Sequence, residues 1–159
     1  VDKYTWHDKG SSYLPSELTA AFLWAQLEEA EHITRLRLDL WDYYHEIFEP
    51  WERRGLLRRP MIPEGCSHNA HMYYVLLAPG ADRPAVLATL ADEGIWAVFH
   101  YVPLHDSPAG RRYGRTEGDL AVTNDLSSRL IRLPMFVGLQ EAEQNRVVEA
   151  LTRILTARA

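Results

Sequence analysis

Between Ser16 and Leu27 the apolar residues surround the predicted helix instead of lying along one face. Ser16 is a favourable N-cap, and Glu17 suits the first turn of a helix. The helical period is carried by Leu18, Ala21, Phe22, Ala25 and Leu27, while Ala20, Leu23 and Trp24 occupy the other side. Such a helix is either buried in a core or covered by a second subunit. We favour the subunit interface, because a domain of this size can hardly enclose it.

The remaining pattern alternates helical and strand-like periods. The segment EEAEH at 28–32 predicts a polar bend. Asp82 and Pro84 favour the start of another helix, and Gly94 is expected to end it. Pro103 to Gly118 is predicted to be a long irregular loop, a kind of loop that is often functional. The other predicted elements are a helix at 33–51, strands at 71–77, 95–102 and 131–134, a helix at 119–129 and a closing helix at 140–155.

The predicted order of elements is α-α-β-α-β-α-β-α. Strands separated by helices predict an α/β or α+β fold, in which helices cover a small sheet. Three strands are few for the core of an enzyme, and we interpret the chain as one small domain over residues 1–159. Residues 10–30 form its predicted interface loop and helix.

Composition restricts the class of protein and its partners. The chain has 159 residues, of which 47% are apolar and 25% charged, as is usual for a globular protein. A net charge of −5 without a basic block argues against nucleic acid as a partner, and no apolar run approaches the ~18 residues of a membrane span. The lone Cys66 fits a reducing compartment, so we expect a cytoplasmic protein. The first residue is not Met, which suggests a piece of a longer chain.

His68 and His71 are the first candidates for chemistry. An HxxH pair on a helix could bind a metal ion, but here the pair leads into a strand, where this spacing does not place both rings on one face. Cys66 is the only thiol nearby, and no acidic cluster completes a ligand set. We therefore predict no metal site, and His71 is expected to form a hydrogen bond at the strand edge.

The segment FHYVPLH contains His100, Tyr101 and His105. Strand alternation directs His100 and Tyr101 to opposite sides, and Pro103 turns the chain so that His105 can return to the same end. Imidazoles and a phenol at the end of a strand can bind a sugar or a phosphate, or move a proton. From spacing alone, structural histidines in a loop remain the alternative.

Gly10 to Ser16 is a second candidate loop. Hydroxyl groups of Ser11, Ser12 and Tyr13 precede the N-terminus of the first predicted helix, where backbone amides favour a phosphate. No GK[ST], GxGxxG, CxxC, GxSxG or HExxH motif occurs in the chain. A loop with a capping serine is the simpler interpretation of this segment taken alone.

Several longer segments resemble one family. VDKYTWHDKGSSYLPSELTAAFLWAQLEEA resembles the C-terminal part of sugar aminotransferases of the DegT/DnrJ/EryC1/StrS family. NAHMYYVLL, FHYVPLHDSPAG and RLPMFVGLQEAEQNRVV match later segments of that family in order. The resemblance covers essentially the whole chain. It implies the small C-terminal domain of the aspartate-aminotransferase fold, without the larger N-terminal domain that binds the cofactor.

The resemblance also implies an activity. Such enzymes use pyridoxal 5'-phosphate (PLP), held by a lysine of the N-terminal domain. KYTW, GSSYLPSEL and FHYVPLH point to the members that transfer an amino group from glutamate to C4 of dTDP-4-keto-6-deoxyglucose, for a polysaccharide of the enterobacterial common antigen type. The only lysines here, Lys3 and Lys9, match no cofactor-binding motif. The isolated chain is therefore expected to be inactive.

The same resemblance assigns roles to particular residues. Members of the family act as homodimers, and the loop before the interface helix contacts the PLP phosphate of the partner. At the GxNYR positions of that loop the chain has Gly10, Ser12, Tyr13 and Leu14. Ser12 and Tyr13 are therefore implied cofactor contacts, although serine replaces asparagine and leucine replaces arginine. His100, Tyr101 and His105 match the segment that lines the nucleotide-sugar pocket.

The main alternative belongs to a different functional class. The chain could be a stand-alone interaction or sugar-nucleotide-binding module that kept the fold without the catalysis. A metal-binding domain is a poorer third interpretation, because the seven histidines are scattered along the sequence.

Overall fold

The computed structural model describes residues 5, 7, 8, 10 and 15–157. Its helices are α1 (Glu17–Glu28), α2 (Ala30–Ile47), α3 (Glu49–Arg53), α4 (Arg83–Asp92), α5 (Pro108–Tyr113), α6 (Ala121–Arg129) and α7 (Glu141–Thr156). Its strands are β1 (Leu57–Arg58), β2 (Tyr73–Leu77) and β3 (Leu130–Leu133), and Leu104–Asp106 forms a 3₁₀ turn. The predicted class, helices covering a small sheet, is confirmed.

The sheet is antiparallel throughout, with β2 between β1 and β3. Tyr73 pairs with Leu133 and Val75 with Ile131, so these apolar side chains lie on the same face. Tyr73, Val75 and Leu77 are fully buried in the hydrophobic core. The alternating buried side chains of β2 thus form the surface against which the helices pack.

Helices α2, α4 and α7 complete this core. Tyr44 and Phe48 lie against Tyr73, with ring centroids 5.2 and 6.1 Å from it. Helix α4 contributes Leu90 and α7 contributes Leu151, both fully buried. The apolar spacing of α2 and α7 predicted this packing, since each presents a single stripe to the sheet.

Local signals set the ends of several elements. Asp82 accepts a hydrogen bond from Ala85 N at 3.0 Å and caps α4, and Gly94 follows that helix with a φ of +74°. The predicted bend at 28–32 occurs at Glu29, where α1 ends before α2 begins. The predicted helix at 33–51 is divided at Phe48 into α2 and the short α3.

The predicted strand at 95–102 is wrong. Only Val98 pairs with the sheet, through a single antiparallel bridge to Arg132 of β3. The third strand of the sheet is instead β1, two residues after Gly55, in a stretch for which the sequence pattern predicted no element. The loop predicted from 103 to 118 also contains structure, namely the 3₁₀ turn and α5.

Helix α1 is exposed along its whole length and has no buried residue. Leu18 is 85% exposed, Phe22 71% and Trp24 67%. Ser16 caps the helix as predicted, accepting from Thr19 N at 3.2 Å. The helix is therefore well formed locally, while its apolar surface is not covered by the described part of this chain.

No helix among the described residues is both long enough and apolar enough to cross a bilayer.

Candidate functional site

The segment from Phe99 to Ser107 begins where the chain leaves the sheet. Val98 N donates to Arg132 O at 3.0 Å, and Arg132 N donates to Val98 O at 2.7 Å. Beyond this bridge the segment has no further strand pairing, and Pro103 leads into the 3₁₀ turn. The predicted site residues His100, Tyr101 and His105 are thus held on an irregular segment at the edge of the sheet.

His100 is the most constrained of the three. Its ring meets that of Tyr101 edge to face, with centroids 4.9 Å apart. Its Nδ1 is buried and has no hydrogen-bond partner among the described residues. Burial lowers the pKa of His100, and the positive charges of Arg132 and His71 lower that pKa further. A neutral imidazole with an unpaired nitrogen is suited to a hydrogen bond with a ligand.

Arg132 connects this ring to the sheet. Its Nη2 donates to Phe99 O at 3.2 Å, on the residue directly before His100. The Arg83 guanidinium lies over the Phe99 ring at 5.3 Å from its centroid and donates to Ser127 O. Sequence reasoning missed both arginines, because nothing in the local pattern distinguishes them from arginines on a solvated surface.

His105 lies apart from the contact between His100 and Tyr101. Its Nε2 is 2.8 Å from Asn124 Oδ1, and Asn124 Nδ2 donates to Asp119 O at 3.1 Å. Since the amide nitrogen is already bonded to a carbonyl, the Asn124 oxygen is the acceptor and His105 Nε2 carries a proton. The contact fixes the His105 ring against the start of α6.

Tyr101 is 55% exposed beside His100. The structure therefore places two of the three predicted residues in contact and the third in a separate group with Asn124. Arg111, Arg115 and Thr116 line a cavity together with His105. No motif in the sequence pointed to those three residues.

His68 and His71 support the loop before β2. The His68 ring packs against Trp41 at 4.6 Å, and its Nδ1 accepts from Ala70 N at 3.3 Å. Arg37 donates to Ala70 O at 3.0 Å and to His71 O, which holds Ala70 at a φ of +48°. Over the described ranges no group of three or more His, Cys, Asp or Glu side chains could hold a metal ion.

The predicted cofactor contacts Ser12 and Tyr13 lie outside the described residues, as do Lys3 and Lys9. Residues 5, 7, 8, 10 and 15–157 contain no lysine. PLP needs an amine to hold it covalently, so the described part of the chain does not fit the cofactor by itself. No step of a PLP reaction can be assigned to these residues alone.

The fold is that of the corresponding part of a known class of aminotransferases. Residues 1–152 match the DegT/DnrJ/EryC1/StrS aminotransferase family, and the chain belongs to that family. PLP is the cofactor of this family, consistent with a similar solved structure described below that is named as a PLP form.

Three similar proteins show how far the likeness extends. A dTDP-4-dehydro-2,3,6-trideoxy-D-glucose 4-aminotransferase of Saccharopolyspora spinosa is 27% identical, over 89% of this chain and 35% of its own length. A DegT DnrJ EryC1 StrS aminotransferase from Brucella abortus superposes with a TM-score of 0.73 at 26% identity, over 94% of this chain and 41% of its own. The PLP form of the putative sugar aminotransferase Spr1654 from Streptococcus pneumoniae superposes with a TM-score of 0.73, over 89% of this chain and 36% of its own. At 21% identity, this likeness shows the fold alone.

The chain therefore spans well under half the length of these relatives.

Proposed function

We propose that the chain is the C-terminal part of a longer PLP-dependent sugar aminotransferase. The family match over residues 1–152, in a chain of about a third of the length of the Saccharopolyspora spinosa relative, carries this proposal. The longer protein, called the full-length protein below, would supply the cofactor-binding domain and its lysine. The isolated 159-residue chain would then be inactive, since its two lysines, Lys3 and Lys9, match no cofactor-binding motif.

The proposed reaction transfers an amino group from glutamate to C4 of dTDP-4-keto-6-deoxyglucose. The relative named as a 4-aminotransferase of a dTDP-sugar supports the substrate class and the position. The product would enter a cell-surface polysaccharide of the enterobacterial common antigen type, and the reaction would take place in the cytoplasm. The segments KYTW, GSSYLPSEL and FHYVPLH support this choice within the family.

His100, Tyr101 and His105 are the proposed substrate contacts. The buried Nδ1 of His100, which has no partner among the described residues, is a group that a sugar hydroxyl or keto oxygen can engage, and the exposed side chain of Tyr101 lies beside it. Because burial keeps His100 neutral near pH 7, it would bind and orient the sugar without adding a charge. Ser12 and Tyr13 are the proposed contacts to the PLP phosphate in the partner subunit.

We also propose that a second copy of the chain packs against the surface of α1, over residues 16–27. Phe22 and Trp24 are exposed by 71% and 67% on a helix without a buried residue. Large apolar side chains concentrated on one element are typical of an interface. A homodimer built on this helix would also bring the loop containing Ser12 towards the partner.

A transamination assay tests the reaction. The full-length protein, saturated with PLP, is incubated with glutamate and dTDP-4-keto-6-deoxyglucose, and the amino-sugar nucleotide and 2-oxoglutarate are measured by mass spectrometry. We expect both products in equal amounts, and a kcat/KM lowered about 10-fold by His100→Gln, the worth of one lost hydrogen bond. Glu149→Gln, on the exposed side of α7, is the control and should leave kcat/KM unchanged.

Binding of the keto sugar nucleotide without formation of 2-oxoglutarate would contradict the proposed reaction. It would favour the stand-alone sugar-nucleotide-binding module instead.

A further inference from the structure

A cavity of about 520 Å³ lies between the Leu104–Asp106 turn, α5 and the loop that leads to α6. Its polar side chains are those of His105, Arg111, Arg115 and Thr116, and none of the described residues that line it is acidic. Leu104 and Leu120 form the apolar part of its wall. A cavity of this volume with a few convergent polar groups is of the size that small ligands occupy.

The two arginines of this cavity differ in their charge balance. Arg111 donates to Asp106 at 2.7 Å, and this bond lowers the pKa of Asp106, so that the carboxylate stays charged. Arg115 has no carboxylate within 4.0 Å among the described residues. Arg115 therefore contributes an unpaired positive charge to the cavity, and Arg111 one that is partly neutralised.

The backbone around the cavity is tightly specified. Gly110 and Gly114 lie so close to neighbouring main chain that a Cβ at either would approach a carbonyl oxygen within 2.9 Å or less. Leu120 has a φ of +47°, a conformation that costs a branched side chain roughly 1 kcal/mol or more. His105 is held by Asn124 on the neighbouring helix. Close backbone packing and the bond to Asn124 thus hold the turn, α5 and the His105 ring beside the cavity.

We propose that this cavity holds the diphosphate of the nucleotide-sugar substrate, with Arg115 as its main charge contact. Arg111, Thr116 and His105 supply further hydrogen-bonding groups. A diphosphate needs several donors and at least one unpaired cation, and a guanidinium matches phosphate oxygens in a bidentate geometry. The inference rests on the proposed function, which supplies the nucleotide sugar, and it adds the site of the diphosphate.

Calorimetric titration of the PLP-loaded full-length protein with dTDP tests the site. We expect Arg115→Ala to raise the dissociation constant for dTDP about 10- to 100-fold, as for the loss of a charge-assisted pair, and Arg115→Lys to recover part of that loss. Arg112→Ala is the matched control, because Arg112 is three residues from Arg115 in the chain, is not among the residues that line the cavity and lies 4.0 Å from Asp8. Its dissociation constant for dTDP should equal that of the unchanged protein.

Two further ligands identify which group the cavity binds. Thymidine, which lacks phosphate, should bind the Arg115→Ala variant as it binds the unchanged protein, and the dissociation constant for PLP should also stay unchanged. An equal loss of thymidine binding would overturn the inference, and a loss confined to PLP would assign the cavity to the cofactor phosphate instead.

The kinetic assay separates this inference from the proposed function. An inactive full-length protein whose dTDP binding depends on Arg115 would reject the proposed reaction and retain the diphosphate site. An active enzyme whose KM for the keto sugar nucleotide is unaffected by Arg115→Ala would reject the diphosphate site and retain the reaction.

Discussion

We expect Phe22→Asp or Trp24→Asp to convert the proposed dimer of the full-length protein into a monomer, with a dimer dissociation constant raised at least ~100-fold, or about 3 kcal/mol. Both side chains project from α1, where the described chain covers neither. A carboxylate placed at the centre of a buried apolar interface loses its hydration without gaining a partner. Sedimentation velocity over a range of protein concentrations measures the shift.

Ala142→Asp is the matched control for these variants. It adds the same charge at an exposed position of α7, outside the α1 surface that is assigned to the interface. The control should remain dimeric. If Phe22→Asp left the dimer intact and lowered only the unfolding temperature, the surface would be covered by another part of the same chain, and the interface assignment would be wrong.

Gly110→Ala destabilises the protein by about 3 kcal/mol or more and removes dTDP binding. A Cβ at this position would lie 1.6 Å from Leu104 O and 2.9 Å from Ser107 Oγ. Neither neighbour can easily move, because Ser107 caps α5 by accepting from Gly110 N at 3.0 Å and donates to Leu104 O at 2.7 Å. The turn that positions His105 must therefore rearrange.

Gly118→Ala separates this steric clash from the general cost of replacing glycine. Gly118 has a φ of +75° and open space around its Cα, so alanine should cost only about 1 kcal/mol there. Thermal unfolding and dTDP titration of both variants give the comparison. Equal losses at the two positions would show that the close packing at Gly110 is unimportant.

Elements with strong local signals could be predicted from the sequence. Helix α4 has Asp82 as its cap and Gly94 at its end, and β2 has the aromatic and branched residues of a strand. Helix α1 was also predictable, since its lack of a polar face is a property of the sequence alone. What covers that helix depends on residues that the described chain does not contain.

The strand expected at 95–102 shows where local pattern is insufficient. In an antiparallel register centred on Val98 and Arg132, Trp96 would face Pro134, which has no N–H to donate. On the other side His100 would face Leu130, which directly follows α6 as its C-cap. The partner strand is too short on both sides, so pairing is restricted to one bridge. The length of the partner strand could be known only from the fold.

Some features of the candidate site could likewise be predicted from the sequence, and others depend on the fold. The contact between His100 and Tyr101 follows from adjacent positions in the chain, and the sequence pointed to both residues. The lowered pKa of His100 depends first on burial and then on Arg132 and His71, which come from β3 and from the loop before β2. The cavity around Arg115 depends likewise on the packing of the 104–120 segment, for which no motif exists.

The location of the cofactor lysine decides whether this chain is one part of a longer PLP-dependent enzyme. The full-length protein is loaded with PLP, reduced with borohydride and digested, and the modified lysine is identified by mass spectrometry. We expect one modified lysine, outside the 159 residues of this chain, and no modification when the isolated chain is treated in the same way. A specific adduct on Lys3 or Lys9 would contradict this expectation, because the chain would then contain a cofactor site of its own.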